Sequence, residues 1–283
     1  MATLYAPTLT YDPITDPRAT QATHYQLERS PGDGFIYEAI ADPVTGTATP
    51  FYHSDSLIIA TAGSFLHQMF CYPGPRASYA VFVGPGNPLN DAETPLMAPP
   101  GAFLSLQRGD LTGAVVALKT VIHIAEKGLT PHGPLRRVII KTDSEYVAKG
   151  STERMLTWLR KGWIGCGRSR IRDWDLWEAL LALLEIVKRT WNVEVLFWWV
   201  PTNWNRDAKS LAGEGLKIPP PRLETPSGEG SSEVWGEETG TTPSTSTVPS
   251  SVSSHRVAPK SQNSSTLRLL QGDIEYVQFP DQY

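Results

Sequence analysis

The order of apolar segments between residues 51 and 217 limits the chain to a small number of folds. Two β-branched runs come first, at 56–63 and 77–86, and helical and β-branched stretches then alternate. Strands followed by alternating helices and strands are typical of an α/β domain with a mixed sheet. We therefore predict one α/β domain over 51–217, in which helices flank a central mixed sheet.

Five stretches are predicted to be strands, because most of them are rich in β-branched and aromatic residues and are bounded by turn residues. They are 56–63, 77–86, 101–106, 136–143 and 193–201. Three other stretches carry apolar residues at helical spacing. They are 111–128, 173–190 and 205–216. The prediction is thus a central mixed five-stranded sheet.

The segments on either side of this domain are predicted to lack packed structure. Residues 1–50 are rich in Thr, Pro and Asp without sustained periodicity, which indicates a loosely ordered N-terminal arm with one candidate strand at 35–40. Residues 218–265 are rich in Pro, Ser, Thr and Gly. Because they have too little apolar surface to offset their chain entropy, they are predicted to be a disordered linker. Aromatic residues return in the short C-terminal segment 266–283, which is either a docking peptide for a protein partner or a terminal strand.

Several classes of protein are disfavoured by composition. No apolar run approaches the roughly 20 residues that a membrane span needs, and the N-terminus lacks the basic start and apolar core of a secretory signal. The two cysteines, Cys71 and Cys166, lie far apart and form no CxxC pair. This spacing excludes a zinc ribbon and argues against a disulfide framework. A soluble intracellular protein, in the nucleus or cytoplasm and without a membrane partner, is expected.

The net charge of −4 conceals a basic centre. Residues 51–217 contain 19 Lys and Arg against 15 Asp and Glu, whereas the two flanks together contain 6 against 14. A mildly basic domain between acidic flanks is compatible with a polyanion partner, although charge alone does not require one.

A carboxylate stands where a buried strand gives way to a helix, in the stretch TDSEYVAKG at 142–150. Asp143 ends the apolar run, and a helix pattern follows at once. Asp is a favoured N-cap residue, so the residue type fits a structural role. An acid at the end of a strand also fits a chemical site, and these residues alone leave both interpretations open.

Several stretches taken together resemble the type 1 ribonuclease H family, in particular its eukaryotic, fungal-like members. The resemblance covers about 160 residues in collinear order and implies an RNase H-like fold. It is carried by LIIATAGS (57–64), RGDLTGAVVAL (108–118), TDSEYVAKG (142–150), WLRKGW (158–163), IRDWDLWEALLALL (171–184) and WWVPTNWNRDAKSLA (198–212).

The resemblance implies hydrolysis of the RNA strand of an RNA–DNA hybrid by two divalent ions, Mg²⁺ or Mn²⁺, held by four carboxylates. Two of the four positions retain an acid, at Asp110 and Asp143, which are the candidate catalytic and metal-binding residues. The position on the first strand is Ala62, and the position on the last helix is Lys209. An ammonium group there either repels dications or pairs with Asp143 in place of a metal ion.

No neighbouring acid is expected to replace the two lost ones. Asp207 precedes Lys209 by two residues, and a shift of two along a helix turns the side chain by about 200°. Asp55 lies seven residues before Ala62, at the opposite end of the predicted strand. The resemblance therefore implies a degenerate active site.

Five residues around a Gly-rich turn at 159–172 are candidate nucleic-acid contacts. In the family this region helps to hold the hybrid, and cations with an aromatic residue suit a track of phosphates. The residues are Lys161, Trp163, Arg168, Arg170 and Arg172. The alternative interpretation is an ordinary solvated loop.

Three functions stay open from the sequence. The first is an RNase H family protein, in effect a pseudoenzyme, that binds an RNA–DNA hybrid or duplex with lost or strongly reduced hydrolysis. The second is an active Mg²⁺- or Mn²⁺-dependent hybrid ribonuclease with a reduced carboxylate set. The third is a non-catalytic scaffold that engages protein partners through its tails. Without activity, no cofactor is expected.

Overall fold

The computed structural model describes residues 10–19, 27–42, 44–45, 48–67, 74–92, 96 and 103–217. The predictions for the linker at 218–265 and for the C-terminal segment at 266–283 lie outside these residues. No helix within the described ranges is both long and apolar enough to span a membrane.

Strands and helices occur in the described residues as follows. The strands are β1 (Glu28–Arg29), β2 (Tyr37–Ala41), β3 (Ala48–His53), β4 (Ser56–Leu66), β5 (Arg76–Phe82), β6 (Arg137–Thr142) and β7 (Glu194–Trp199). The α-helices are α1 (Leu106–Lys127), α2 (Glu145–Lys149), α3 (Met155–Arg160), α4 (Trp174–Trp191) and α5 (Arg206–Gly215). A π-helix, Gly150–Arg154, joins α2 to α3.

The central sheet is mixed and has the order β5-β4-β6-β7. β4 and β5 are antiparallel, whereas β4, β6 and β7 run parallel. The register pairs Thr61 with Thr142 and Thr142 with Trp199, so the carboxyl ends of β6 and β7 lie beside the middle of β4. Residues that follow β6 and β7 are thereby brought close to β4, which confirms the predicted α/β architecture and positions the site described below.

Alternating side chains of the parallel strands divide the core between two faces, as the period of a strand requires. On β6, Val138 and Ile140 face the cluster formed with α1 and α4. The intervening Ile139 faces a second cluster with Tyr11 and Leu27. The second face is therefore covered in part by residues that precede the predicted domain.

The N-terminal region differs from the sequence prediction of a loosely ordered arm over 1–50. Its described part contains a three-stranded antiparallel sheet, β1-β2-β3. Tyr11 is buried, and its backbone N–H donates to the carbonyl oxygen of Phe197 at 2.9 Å. The apolar residues that fill the second face, such as Leu27 and Ile36, are irregularly spaced in sequence. Their burial could therefore not be predicted from a periodic pattern.

A buried ionic network fastens this region to the sheet. Glu38 is fully buried and accepts a hydrogen bond from the Tyr11 hydroxyl at 3.1 Å. Arg137 reaches Glu38 at 3.5 Å, Asp16 at 2.9 Å and Glu194 at 2.8 Å. Burial raises the pKa of Glu38, and the charge of Arg137 opposes that rise. One guanidinium group thus holds three carboxylates from three parts of the chain.

The predicted strand at 101–106 is wrong over its described part. Residues 103–105 belong to no strand, and α1 begins at Leu106. The side chain of Ser105 caps this helix by accepting from the backbone N–H of Arg108 at 3.1 Å. A capping Ser is a local helix-start signal that overrides a short apolar run. Within the described residues the central sheet therefore has four strands instead of five.

Arg137→Met is expected to lower the free energy of unfolding by about 3–5 kcal/mol, because it removes the shared cation of Glu38, Asp16 and Glu194 and leaves the buried Glu38 carboxylate with Arg18 alone, at 3.6 Å. Urea denaturation measures the change. The matched control is Arg189→Met, because Arg189 is exposed and meets Glu185 only at 3.7 Å. This control is expected to cost less than about 1 kcal/mol. Equal effects of the two variants would contradict a structural role for the network.

Candidate site at the carboxyl ends of the central strands

Asp143 follows β6 and is held by residues that precede α5. Its Oδ1 accepts from the side-chain amide of Asn205 at 2.9 Å, and its Oδ2 accepts from the Thr202 hydroxyl at 2.9 Å. The same Asn205 amide also donates to the carbonyl oxygen of Thr61 at 2.9 Å. Asn205 therefore ties the middle of β4 and the end of β6 to the start of α5 and fixes the orientation of the carboxylate.

Asp110 lies near the start of α1 and is almost completely buried. Its Oδ1 accepts from the backbone N–H of Gly63 at 2.6 Å. Burial raises the pKa of Asp110, and the charge of Lys209 and a hydrogen bond from Ser144 act in the opposite direction. A Cβ at Gly63 would lie 2.4 Å from the Asp110 backbone nitrogen, so this close approach of α1 to β4 requires glycine.

The ammonium group of Lys209 lies between the two carboxylates. Its Nζ is 3.1 Å from Oδ2 of Asp143 and 3.9 Å from Oδ1 of Asp110, and it donates to the carbonyl oxygen of Gly63 at 3.2 Å. Both carboxylate side chains are 5% exposed, whereas that of Lys209 is 26% exposed. The structure thus contains the Lys209–Asp143 pair that was one alternative from the sequence, and extends it to Asp110.

Ala62, which the resemblance places at one of the four acid positions, is fully buried between Thr61 and Gly63, whose carbonyl oxygens accept from Asn205 and Lys209. It packs in a cluster of small residues contributed by β4, β5 and α5. The buried members are Ala60, Ala62, Ala80, Ala208 and Ala212. This packing leaves a methyl group at the place that the resemblance gives to an acid.

Asp55 and Asp207, which were not expected to replace the two lost acids, lie outside the site. Asp55 pairs with Arg18 at 2.5 Å, and Asp207 is exposed on α5. Nowhere in the described residues do three or more His, Cys, Asp or Glu side chains group in a way that could hold a metal ion. Asp110 and Asp143 therefore come together with a cation and not with further acids.

The sequence interpretation missed the residues that orient the acids. Thr202 and Asn205 gave no signal beyond being polar residues before a helix. Arg108 was noted only as part of a motif, yet it donates to Asp173 at 3.0 Å and to Asp175 at 2.6 Å, which links α1 to α4. Burial raises the pKa of Asp173, and Arg108 opposes this rise.

The basic loop, defined as residues 159–172, is held in a fixed form. Trp163 is only 6% exposed and packs in the main core, which is at odds with its prediction as a nucleic-acid contact. Its carbonyl oxygen accepts from the N–H of Ile171 at 2.8 Å. The other four candidates are exposed, and none forms an ion pair with another described residue. They are Lys161, Arg168, Arg170 and Arg172.

Comparison with known proteins finds relatives named ribonuclease H. The enzyme of Geotalea uraniireducens (strain Rf4) is 37% identical over 84 residues, which cover 30% of this chain and 50% of that protein. That of Pseudomonas entomophila (strain L48) is 39% identical over 83 residues, which cover 28% and 52%. The chain thus spans about half the length of these curated relatives. No family model matches the chain.

Solved structures with some similarity include the RNase H domain of PFV, at 18% identity and a TM-score of 0.39, covering 56% of this chain and 92% of that one. LC9-RNase H1 is 19% identical with a TM-score of 0.38, and the match covers 58% and 73%. The sequence matches establish that this chain is similar to proteins named ribonuclease H over 83 to 84 residues, and the mixed α/β sheet is compatible with that similarity.

Proposed function

We propose that this chain is a type 1, fungal-like RNase H family protein that binds an RNA–DNA hybrid or duplex and has lost, or strongly reduced, hydrolysis of the RNA strand. The observation that carries the proposal is the Lys209 ammonium group between Asp143 and Asp110. A location inside the cell, in the nucleus or cytoplasm, belongs to the same proposal.

The residues present do not fit a two-ion site. Two divalent ions about 3.5–4 Å apart need several anionic ligands, and Mg²⁺ requires oxygen ligands at about 2.0–2.1 Å. Here two carboxylates share one ammonium group, whose Nζ is 3.1 Å from Asp143. A cation would have to displace Lys209 and then rely on Asp110 and Asp143 alone. The ammonium group therefore serves as a tethered counter-ion in place of a metal.

The burial of Asp110 supports the same conclusion. Its raised pKa means that this carboxyl gives up its proton less readily than an exposed acid would. A carboxyl group must be deprotonated to hold a metal ion, so a raised pKa weakens it as a ligand. One ammonium group beside two carboxyls leaves at most one net negative charge, which is too little to hold two divalent ions.

Binding of nucleic acid is supported by the basic loop. Lys161, Arg168, Arg170 and Arg172 are exposed and form no ion pair within 4 Å with a described carboxylate. Exposed cations on one loop suit the phosphates of a nucleic acid, because binding them releases the counter-ions of the nucleic acid. The sequence relatives carry the name ribonuclease H, which makes a hybrid the first ligand to test.

The full chain is expected to bind a labelled RNA–DNA hybrid at about 50 mM salt, with affinity that falls steeply by about 200 mM. No cleavage is expected with Mg²⁺ or Mn²⁺, because the two-ion site is incomplete. Anisotropy and gel analysis of the same samples measure both properties. Cleavage that Asp143→Asn abolishes would instead establish the active enzyme with a reduced carboxylate set, and an absence of binding would favour the scaffold.

The double variant A62D/K209D is expected to acquire a cation site, because it restores an acid at both altered positions. Millimolar Mn²⁺ should raise its free energy of unfolding by about 1–3 kcal/mol, the effect of a bound ligand in excess over its dissociation constant. The wild type should show no such rise. Adding Asp143→Asn to the double variant should remove the effect, and a rise that persists would mean that Mn²⁺ binds elsewhere.

The variant Asp110→Asn is expected to gain stability relative to the wild type as the pH rises. Because its pKa is raised, folded Asp110 contributes stability that is complete below the ordinary value of 3.8 and is lost as the pH rises through the folded pKa. Asn does not ionise and does not undergo this loss. Urea denaturation at several pH values from about 4 to 8 measures the difference. A pH-independent difference, equal to that of the exposed control Asp207→Asn, would contradict the assignment.

A further inference from the structure

The guanidinium group of Arg170 lies over the ring of Trp174, with 4.0 Å between its Cζ and the ring centroid. We propose that Trp174 is a positioning residue that holds Arg170 ready to contact one backbone phosphate of a bound nucleic-acid strand. The inference rests on the proposed function and assigns a specific task to one pair of residues at that surface.

The backbone around Arg170 is fixed from both sides. Arg170 pairs with Ile164 in an isolated antiparallel bridge, and the N–H of Gly165 donates to the carbonyl oxygen of Ser169 at 2.9 Å. The base of this small hairpin is anchored by the buried Trp163. The backbone at Arg170 therefore has a defined position, and only the orientation of the long Arg170 side chain is left to be fixed.

Trp174 provides that orientation because it is itself held by α4. It is the first residue of this helix and packs against the main core. The preceding Asp173 has a left-handed conformation, with φ of 54°, and is clamped by Arg108 at 3.0 Å. The indole ring is thus part of the rigid end of a helix and not a free surface side chain.

The stacked arrangement leaves the binding groups of Arg170 available. Stacking uses the face of a guanidinium group, whereas its N–H donors lie in the plane and point away from the ring. The planar fork matches phosphate oxygens in a bidentate manner. Arg170 is exposed and forms no ion pair with any residue that the structure describes. The pair therefore presents an oriented anion-binding group. Because stacking already restricts the rotamers of Arg170, binding of a phosphate costs little further side-chain entropy.

The neighbouring residues favour a nucleic-acid strand as the ligand. Ile171 packs against the core, so Arg170 and Arg172 on either side of it project away from the core. Nη1 of Arg172 is 3.5 Å from Oε1 of Gln107 in the first turn of α1, the helix that carries Asp110. The cations thus continue from the loop toward the candidate site, as the backbone of one bound strand would.

The test measures binding of a labelled RNA–DNA hybrid to the full chain at several salt concentrations. Trp174→Leu is expected to weaken binding by about threefold to fivefold, the equivalent of losing one exposed cation–π contact. Arg170→Ala should weaken it further and reduce the slope of log K against log salt by about 0.7–0.9. Adding Trp174→Leu to Arg170→Ala should cause no additional loss, because Trp174 acts only through Arg170.

Two further variants separate positioning from a purely structural role. Arg170→Lys keeps the charge at an exposed position but loses the planar group, so it should weaken binding about as much as Trp174→Leu. Trp174→Phe keeps an aromatic face and should retain most of the affinity. The control is Phe51→Leu, since Phe51 is 69% exposed on β3 of the N-terminal sheet, and this variant should bind like the wild type.

The outcomes distinguish this inference from the proposed function. If the wild type does not bind the hybrid at about 50 mM salt, the proposed function and the inference both fail. If the wild type binds and Trp174→Leu binds equally well, or its effect adds fully to that of Arg170→Ala, only the positioning role is overturned. If polyglutamate binds in an Arg170-dependent manner and the hybrid does not, the surface serves an acidic peptide and the inference is also overturned.

Discussion

The ammonium group of Lys209 offsets part of the charge of two carboxylates that the fold buries, one directly after β6 and one near the start of α1. The close approach of α1 to β4 at Gly63 and the short loop before α5 bring Asp110 and Asp143 into the same small space. Two such groups, each 5% exposed, would repel one another without a shared cation. A side chain supplied by α5 meets this need and also binds the Gly63 carbonyl oxygen, so the same contacts that balance the charge fasten the last helix to the sheet.

At the opposite end of the sheet, buried carboxylates are again paired with a cation, which there is an arginine. Arg137, at the start of β6, gathers Glu38, Asp16 and Glu194. Two of these acids come from the N-terminal region, whose apolar residues also cover the second face of the sheet. The compact unit accordingly includes the described residues that precede 51, and a chain cut at that point would expose Ile139 and Trp198 to water.

The elements that a local sequence pattern specifies could be predicted from the sequence. The strands around 56–63, 136–143 and 193–201 and the three long helices are present, and Asp110, Asp143 and Lys209 do meet. The N-terminal sheet was missed because its burial depends on distant partners and not on periodicity. Trp163 was misassigned because an aromatic residue in a Gly-rich loop has the same local signature whether it faces solvent or the core. Asn205 and Thr202 were missed because their contacts with Asp143 appear only after folding.

The alanine cluster around Ala62 makes positions 62 and 209 depend on one another. An acid at position 62 alone would enter a fully buried space among small apolar residues, and burial of an unpaired charge is costly. Loss of Lys209 alone would leave Asp110 and Asp143 buried without the cation that they share. Because each single change destabilises the fold, the alanine and the lysine are easier to keep together than to replace one at a time.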